Sequence, residues 1–145
     1  HVRSRRQRQM CIRDSNSIAD KNLEDGWLQT NDIGYFDNDK NLFLVGRNDD
    51  VINIGGEKVI PSEIEEIIKQ IPEIEDAVAF GIDNKIFGKT IKVNVIKKKN
   101  SNLEKIKILS YCLKNLEKFK IPSKIEFVDK IPKNEYGKVK RSILK

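Results

Sequence analysis

Val51-Ile52-Asn53-Ile54-Gly55-Gly56-Glu57-Lys58-Val59-Ile60-Pro61-Ser62-Glu63-Ile64-Glu65-Glu66-Ile67-Ile68-Lys69-Gln70-Ile71-Pro72 carries two periodicities back to back. β-Branched residues run up to Gly55-Gly56 and resume at Val59-Ile60, the pattern of a hairpin whose turn needs positive φ or lets something approach the backbone closely. From Pro61 the spacing changes: Ile64, Ile67, Ile68 and Ile71 stand at i, i+3, i+4 and i+7, which predicts an amphipathic helix that Pro72 stops. Ser62 and Glu65 have the separation of a capping box. Glu65-Glu66 reads as part of the helix's charged, solvated side.

Downstream, residues 77–82 and 90–96 read as strands, the second alternating Ile91, Val93 and Val95 with Lys92 and Asn94. Ser101 and Glu104 repeat the capping-box spacing ahead of a second helix, on which Leu103, Ile106, Leu109, Leu113 and Leu116 are expected to share the buried face. Ile125–Val128 forms a last strand. Upstream, Tyr35-Phe36 and Leu42-Phe43-Leu44-Val45 flank an Asp/Asn-rich turn, Asp37 to Asn41, and read as a further hairpin. After that hairpin the order is ββ, α, β, β, α, β. This predicts a small α+β domain with two helices packed on one short sheet, without repeats or low-complexity linkers.

The 145 residues fit one ordinary domain, and no apolar run approaches the ~18 residues of a membrane span. The net charge of +6 is unevenly spread. Residues 1–15, HVRSRRQRQMCIRDS, hold five Arg, no Lys and one acid, whereas residues 16–145 hold 23 bases and 21 acids, with 21 Lys and only two Arg. The opening reads as foreign sequence, an artefact of assembly. Its bland alternative is a basic arm for nucleic acid, which the nearly balanced body argues against. The two cysteines, Cys11 and Cys112, suggest no disulfide framework, so a cytoplasmic location is expected.

Several chemistries are excluded by composition. The only histidine is His1, which leaves no basis for histidine-based nucleophilic catalysis or a His-ligated metal. Gly137-Lys138 is no P-loop, because Pro132 stands where the first glycine belongs and Val139 where Ser or Thr is required. No GxGxxG follows a strand.

Three stretches resemble the acyl-adenylate-forming superfamily, and acyl-CoA synthetases in particular. Gly26-Trp27-Leu28-Gln29-Thr30-Asn31-Asp32 is similar to its DGWxxTGD segment. Gly46-Arg47-Asn48-Asp49-Asp50-Val51-Ile52 through Gly55-Gly56-Glu57-Lys58 to Glu65 resembles GRxDDxI…GGExVxPxEIE, and Pro132 to Arg141 resembles the terminal PxTxxGKxxR. Asn31 departs from the family's glycine, and Asn134 and Tyr136 from its Thr and small residue.

The resemblance implies ATP-dependent activation of a carboxylic acid as an acyl-adenylate, followed by transfer to the thiol of CoA. It implies that Lys138, delivered by the turn at Gly137, is the catalytic cation, and that Asp32, Arg47 and Thr30 contact the nucleotide. Asp49 becomes the hinge of a mobile carboxy-terminal domain, and Gly55, Gly56 and Glu57 line the pantetheine tunnel. On this reading residues 16–48 end a large amino-terminal domain and residues 49–145 form the mobile one. The missing large domain in cis is the main partner, ATP with Mg and CoA are the cofactors, no residue here binds metal, and the chain alone is inactive. A module loading a carrier protein, a non-enzymatic binding module and a nucleic-acid binder are the alternatives.

Overall fold

A computed structural model describes Leu23, Glu24, Trp27, Leu28 and residues 30–144. The opening tail, residues 1–15, lies outside the described residues. The chain divides into two units, His1–Asn31 and Asp32–Lys145. In the first, β1 (Leu23–Glu24) pairs antiparallel with β2 (Trp27–Leu28).

The second unit opens with a hairpin of β3 (Asp32–Phe36) and β4 (Leu42–Arg47). Its turn is built by Asp37. The Asp37 N–H donates to Asn41 O at 3.1 Å, and the Lys40 N–H to Asp37 O at 3.0 Å. Asp37 Oδ1 accepts the Asp39 and Asn41 N–H groups at 2.9 and 2.8 Å. This is the type I turn closed by a residue in the left-handed region, a place that favours glycine. Here Lys40 occupies it, with φ 63°. Lys40→Gly is therefore expected to stabilise this unit by roughly 0.5–1 kcal/mol after glycine's greater unfolded freedom is subtracted, read as a higher urea midpoint. Lys40→Ala, which keeps the Cβ, should not.

A second hairpin, β5 (Ile52–Ile54) with β6 (Glu57–Val59), leads into α1 (Pro61–Lys69). The helix buries Pro61, Ile64 and Ile68, with Ile71 just beyond its end, as the isoleucine spacing requires. The capping box does not form. Pro61 already occupies the first turn, so Ile60 is the N-cap and no side chain caps the helix. Ser62 turns away and its hydroxyl donates to the Val45 carbonyl of β4.

β7 (Ile74–Asn84), β8 (Gly88–Lys97) and β9 (Lys124–Phe127) form one sheet in that order, β7 and β8 antiparallel and β8 and β9 parallel. The parallel step needs a crossover, and α2 (Lys105–Asn115) supplies it. Ala77, Ala79, Ile91, Val93, Val95 and Ile125 pack on Ile64, Ile68, Ile108 and Cys112, so both helices share one core with one face of the sheet. The α+β expectation holds.

The predicted face of α2 is only partly the observed one: Leu103 is buried and Leu109 and Leu116 pack against the core. Ile108 and Cys112 are buried, whereas Ile106 and Leu113 are 71% and 58% exposed. The reason is where the helix starts. Ser101 and Leu103 precede it in a separate turn, Ser101 Oγ accepting the Leu103 N–H at 3.1 Å, so counting from Leu103 puts the stripe out of phase.

On the sheet's other face Glu126 pairs with Lys92 at 2.7 Å and Lys124 at 2.9 Å. These two ammonium groups, Lys92 foremost, hold its carboxyl down to about 2. Burial pushes Asp76 up, but hydrogen bonds from Lys133 and Lys69 more than offset this and leave it below its ordinary value. A carboxylate depressed by folding contributes stability above its unfolded pKa, and that contribution is lost as pH falls through the folded one. The unit should therefore lose stability between the ordinary glutamate value of 4.5 and about 2. Urea midpoints across this window should fall less steeply for Glu126→Gln.

Candidate functional site

An open cleft of about 820 Å³ lies between the first hairpin, the start of α1 and the loop of residues 132–140. Asp32, Arg47, Asp49, Ser62, Lys138 and Arg141 are among its lining residues. Asp32 and Arg47 are cross-strand partners in β3 and β4. The two strands approach so closely that a Cβ on Gly34 would stand 2.6 Å from Phe43 O. Gly46 is similarly confined, its Cβ position lying 2.8 Å from Ile60 Cγ2. Arg47 reaches Asp49 at 3.3 Å, both more than half exposed, a pair worth at most ~1 kcal/mol. Asp49 sits in the short 3₁₀ turn Asn48–Asp50 that leaves the hairpin.

Lys138 is carried by a second copy of the Asp37 turn. The Asn134 N–H donates to Lys138 O at 2.8 Å and the Gly137 N–H to Asn134 O at 2.9 Å. Asn134 Oδ1 accepts the Tyr136 and Lys138 N–H groups at 3.0 and 2.8 Å. Here glycine takes the left-handed position, with Gly137 at φ 76°. Nothing lies within 4 Å of a Cβ built on Gly137, so the backbone conformation, not space, selects glycine. Asn134 thus makes the turn by its own side chain. Lys133 and Val139 pair across the base of the loop. Lys138 itself is exposed, and its ammonium has no ion-pair partner among the described residues.

Arg141, three residues on, is not exposed in this way. Its guanidinium donates to Asp50 Oδ2 at 2.9 Å and Glu65 Oε1 at 2.7 Å, and its Nε to Ala79 O at 3.3 Å. Glu65 Oε1 also accepts the Ala79 N–H at 2.9 Å. The reading of Glu65-Glu66 as a solvated pair is therefore corrected: Glu66 is exposed, whereas the Glu65 side chain is only 12% exposed and ion-paired. The terminal arginine of the GKxxR stretch was the one available sequence signal.

Gly55 and Gly56 lie elsewhere, at φ 58° and 98°. The Gly55 N–H donates to Phe87 O at 3.2 Å, and the Gly56 N–H to Asn53 Oδ1 at 3.1 Å. An open groove runs beside them, with Phe87, Gly88 and Lys89 of the β7–β8 tip on its other side. Phe87 is half exposed there, and sequence reasoning missed it. Glu57 is exposed and not among the groove's lining residues. Thr30 is exposed too, and belongs to the preceding unit. Asn31 adopts φ 59°, which asparagine tolerates in place of the expected glycine.

The sequence profile described as the AMP-binding enzyme C-terminal domain matches residues 63–138. The chain belongs to this family. The chain is 41% identical over 119 residues to a probable CoA ligase, CCL9, of Humulus lupulus, covering 82% of this chain and 23% of that protein. A putative acyl-CoA ligase of Bacillus subtilis is 37% identical over 132 residues, 91% of this chain and 26% of the relative. Among solved structures, ATP-bound MatB from Rhodopseudomonas palustris matches with a TM-score of 0.83 at 29% identity, covering 89% of this chain and 26% of that one. The chain thus spans about a quarter of the length of these relatives. Lys138 is the last residue of the matched family segment, and Arg141 stands just beyond it.

Proposed function

We propose that this chain is the lysine-bearing part of an AMP-forming acyl-CoA ligase, in which Lys138 serves adenylation and the Gly55-Gly56 groove serves thioester formation. One observation carries the reading: Asp32 and Lys138, from opposite ends of the described chain, line one cleft beside Arg47. A carboxylate attacks the α-phosphorus of ATP and pyrophosphate leaves; a thiol then attacks the acyl carbon and AMP leaves. Charge accumulates on the α-phosphoryl oxygens in the first step, and a positioned cation lowers that barrier. Lys138 is suited to this, since its loop is fixed by backbone hydrogen bonds while its ammonium is not committed to a carboxylate of the described residues. Asp32 suits ribose hydroxyl donors, and Arg47 suits phosphate or ribose oxygens. Among the described residues there is no group of three or more His, Cys, Asp or Glu that could hold a metal ion.

Asp49 is the hinge this reading calls for, which would let residues 49–145 turn as a domain and offer the Gly55-Gly56 groove in place of the lysine loop. The exposed apolar residues of the first hairpin, Tyr35, Phe36, Leu42, Phe43 and Leu44, fit a seat for further polypeptide of a nucleotide-binding domain. Relatives roughly four times as long supply the precedent. The expected result is carboxylate-dependent exchange of pyrophosphate into ATP by the complete protein and none by the 145-residue chain alone. Exchange catalysed by the isolated chain would contradict the division of labour.

A further inference from the structure

Arg141 joins three parts of the fold that are far apart in sequence: the turn after the first hairpin through Asp50, helix α1 through Glu65, and edge strand β7 through Ala79. We infer that Arg141 is a positioning residue for adenylation, holding the outgoing arm of the Lys138 loop against the domain so that the lysine is presented as part of a rigid body. This rests on the reading of Lys138 given above.

The loop has two feet on the same strand. Its incoming arm is held by buried Ile131 and by Lys133, which reaches Asp76 at 2.7 Å. Its outgoing arm is held by Arg141 near Ala79, three residues further along β7. The feet differ in strength. The Lys133 side chain is 45% exposed, whereas Arg141, Asp50 and Glu65 are 19%, 28% and 12% exposed. Ion pairs nearer the surface are screened by water and salt, so the arginine foot is the firmer one.

Part of what Arg141 does concerns the sheet. Ala79 lies on edge strand β7, and its N–H and C=O are met by Glu65 and Arg141 instead of by another strand, which leaves neither backbone group orphaned. Closing the edge does not require the bond to Asp50. That bond ties the lysine-bearing arm to the residue next to the proposed hinge, and a planar guanidinium can serve all three directions at once where an ammonium could not. A displacement of ~1 Å at a positioned group can cost about 100-fold in rate, and this is the loss at stake.

The test uses the complete ligase and measures two reactions: carboxylate-dependent pyrophosphate exchange, and thioester formation from supplied acyl-adenylate. Arg141→Gln should lower the first about 100-fold and leave the second little changed. Arg141→Lys should fall between. In a Lys138→Ala background, Arg141→Gln should add almost nothing to the adenylation loss, because a residue that works only through the lysine has nothing left to position. Equal losses in both reactions, or a full additional loss on top of Lys138→Ala, would show a merely structural role and overturn the inference. If Arg141→Gln does not accumulate folded, Asp50→Asn carries the test, since it keeps the guanidinium and the closed edge. Selective loss of adenylation supports the inference, and loss of both reactions or neither sinks it. A harmless Lys138→Ala is a different failure, because it removes the functional reading itself.

Discussion

Lys138→Ala in the complete ligase is expected to lower carboxylate-dependent pyrophosphate exchange by about 100-fold to 1,000-fold, the size of effect seen when one preorganised stabilising group is deleted. Thioester formation from supplied acyl-adenylate should survive. The split follows from how the side chain is held. The fold fixes the loop through Asn134, Gly137 and the Lys133–Val139 pairing, yet commits the ammonium to no ion pair among the described residues. Removing it therefore costs the fold little. Lys138→Arg should recover only part of the rate, because a broader, planar cation cannot take the place of a compact ammonium on the same turn. Loss of both half-reactions together would mean that the lysine has been given the wrong task.

The elements were legible because most of their causes are local. The isoleucine spacing of α1, the alternation of β8 and the Asp37 turn each follow from neighbouring residues, and each is present. What escaped was set by contacts between distant segments. Ser62 has the chemistry of a cap, but the Val45 carbonyl competes for its hydroxyl and Pro61 has already started the helix. Glu65 follows a polar pattern, yet Ala79 and Arg141 are folded against it. Asn134 departs from the usual threonine, yet its side chain is what closes the turn. The site residues divide in the same way. Asp32, Arg47, Asp49 and Lys138 meet at one cleft, and Gly55 and Gly56 at another groove, whereas Glu57 lines neither. Phe87 could not be found by motif, since only the β7–β8 pairing brings its tip beside the glycines.

Gly56→Val should produce the opposite imbalance: adenylation largely retained and thioester formation from supplied acyl-adenylate reduced about 100-fold. Two effects combine at this position. The groove beside Gly56 is bounded across from it by Phe87, and a β-branched side chain would occupy space that a narrow thiol-bearing arm needs. The backbone at φ 98° also disfavours any Cβ, so the hairpin tip must shift and the Gly55 N–H to Phe87 O bond is placed at risk. The two contributions can be separated. Gly56→Ala brings the same backbone strain with little bulk, and nothing lies within 4 Å of its Cβ position. If alanine alone abolishes thioester formation, the conformation of the turn matters more than the width of the groove. If valine spares the reaction, the groove does not carry the thiol, and Phe87 is left exposed for some other purpose. The lysine loop is a separate structure from this hairpin, so an adenylation loss equal to the thioester loss would point to a damaged domain and count against two separate working faces.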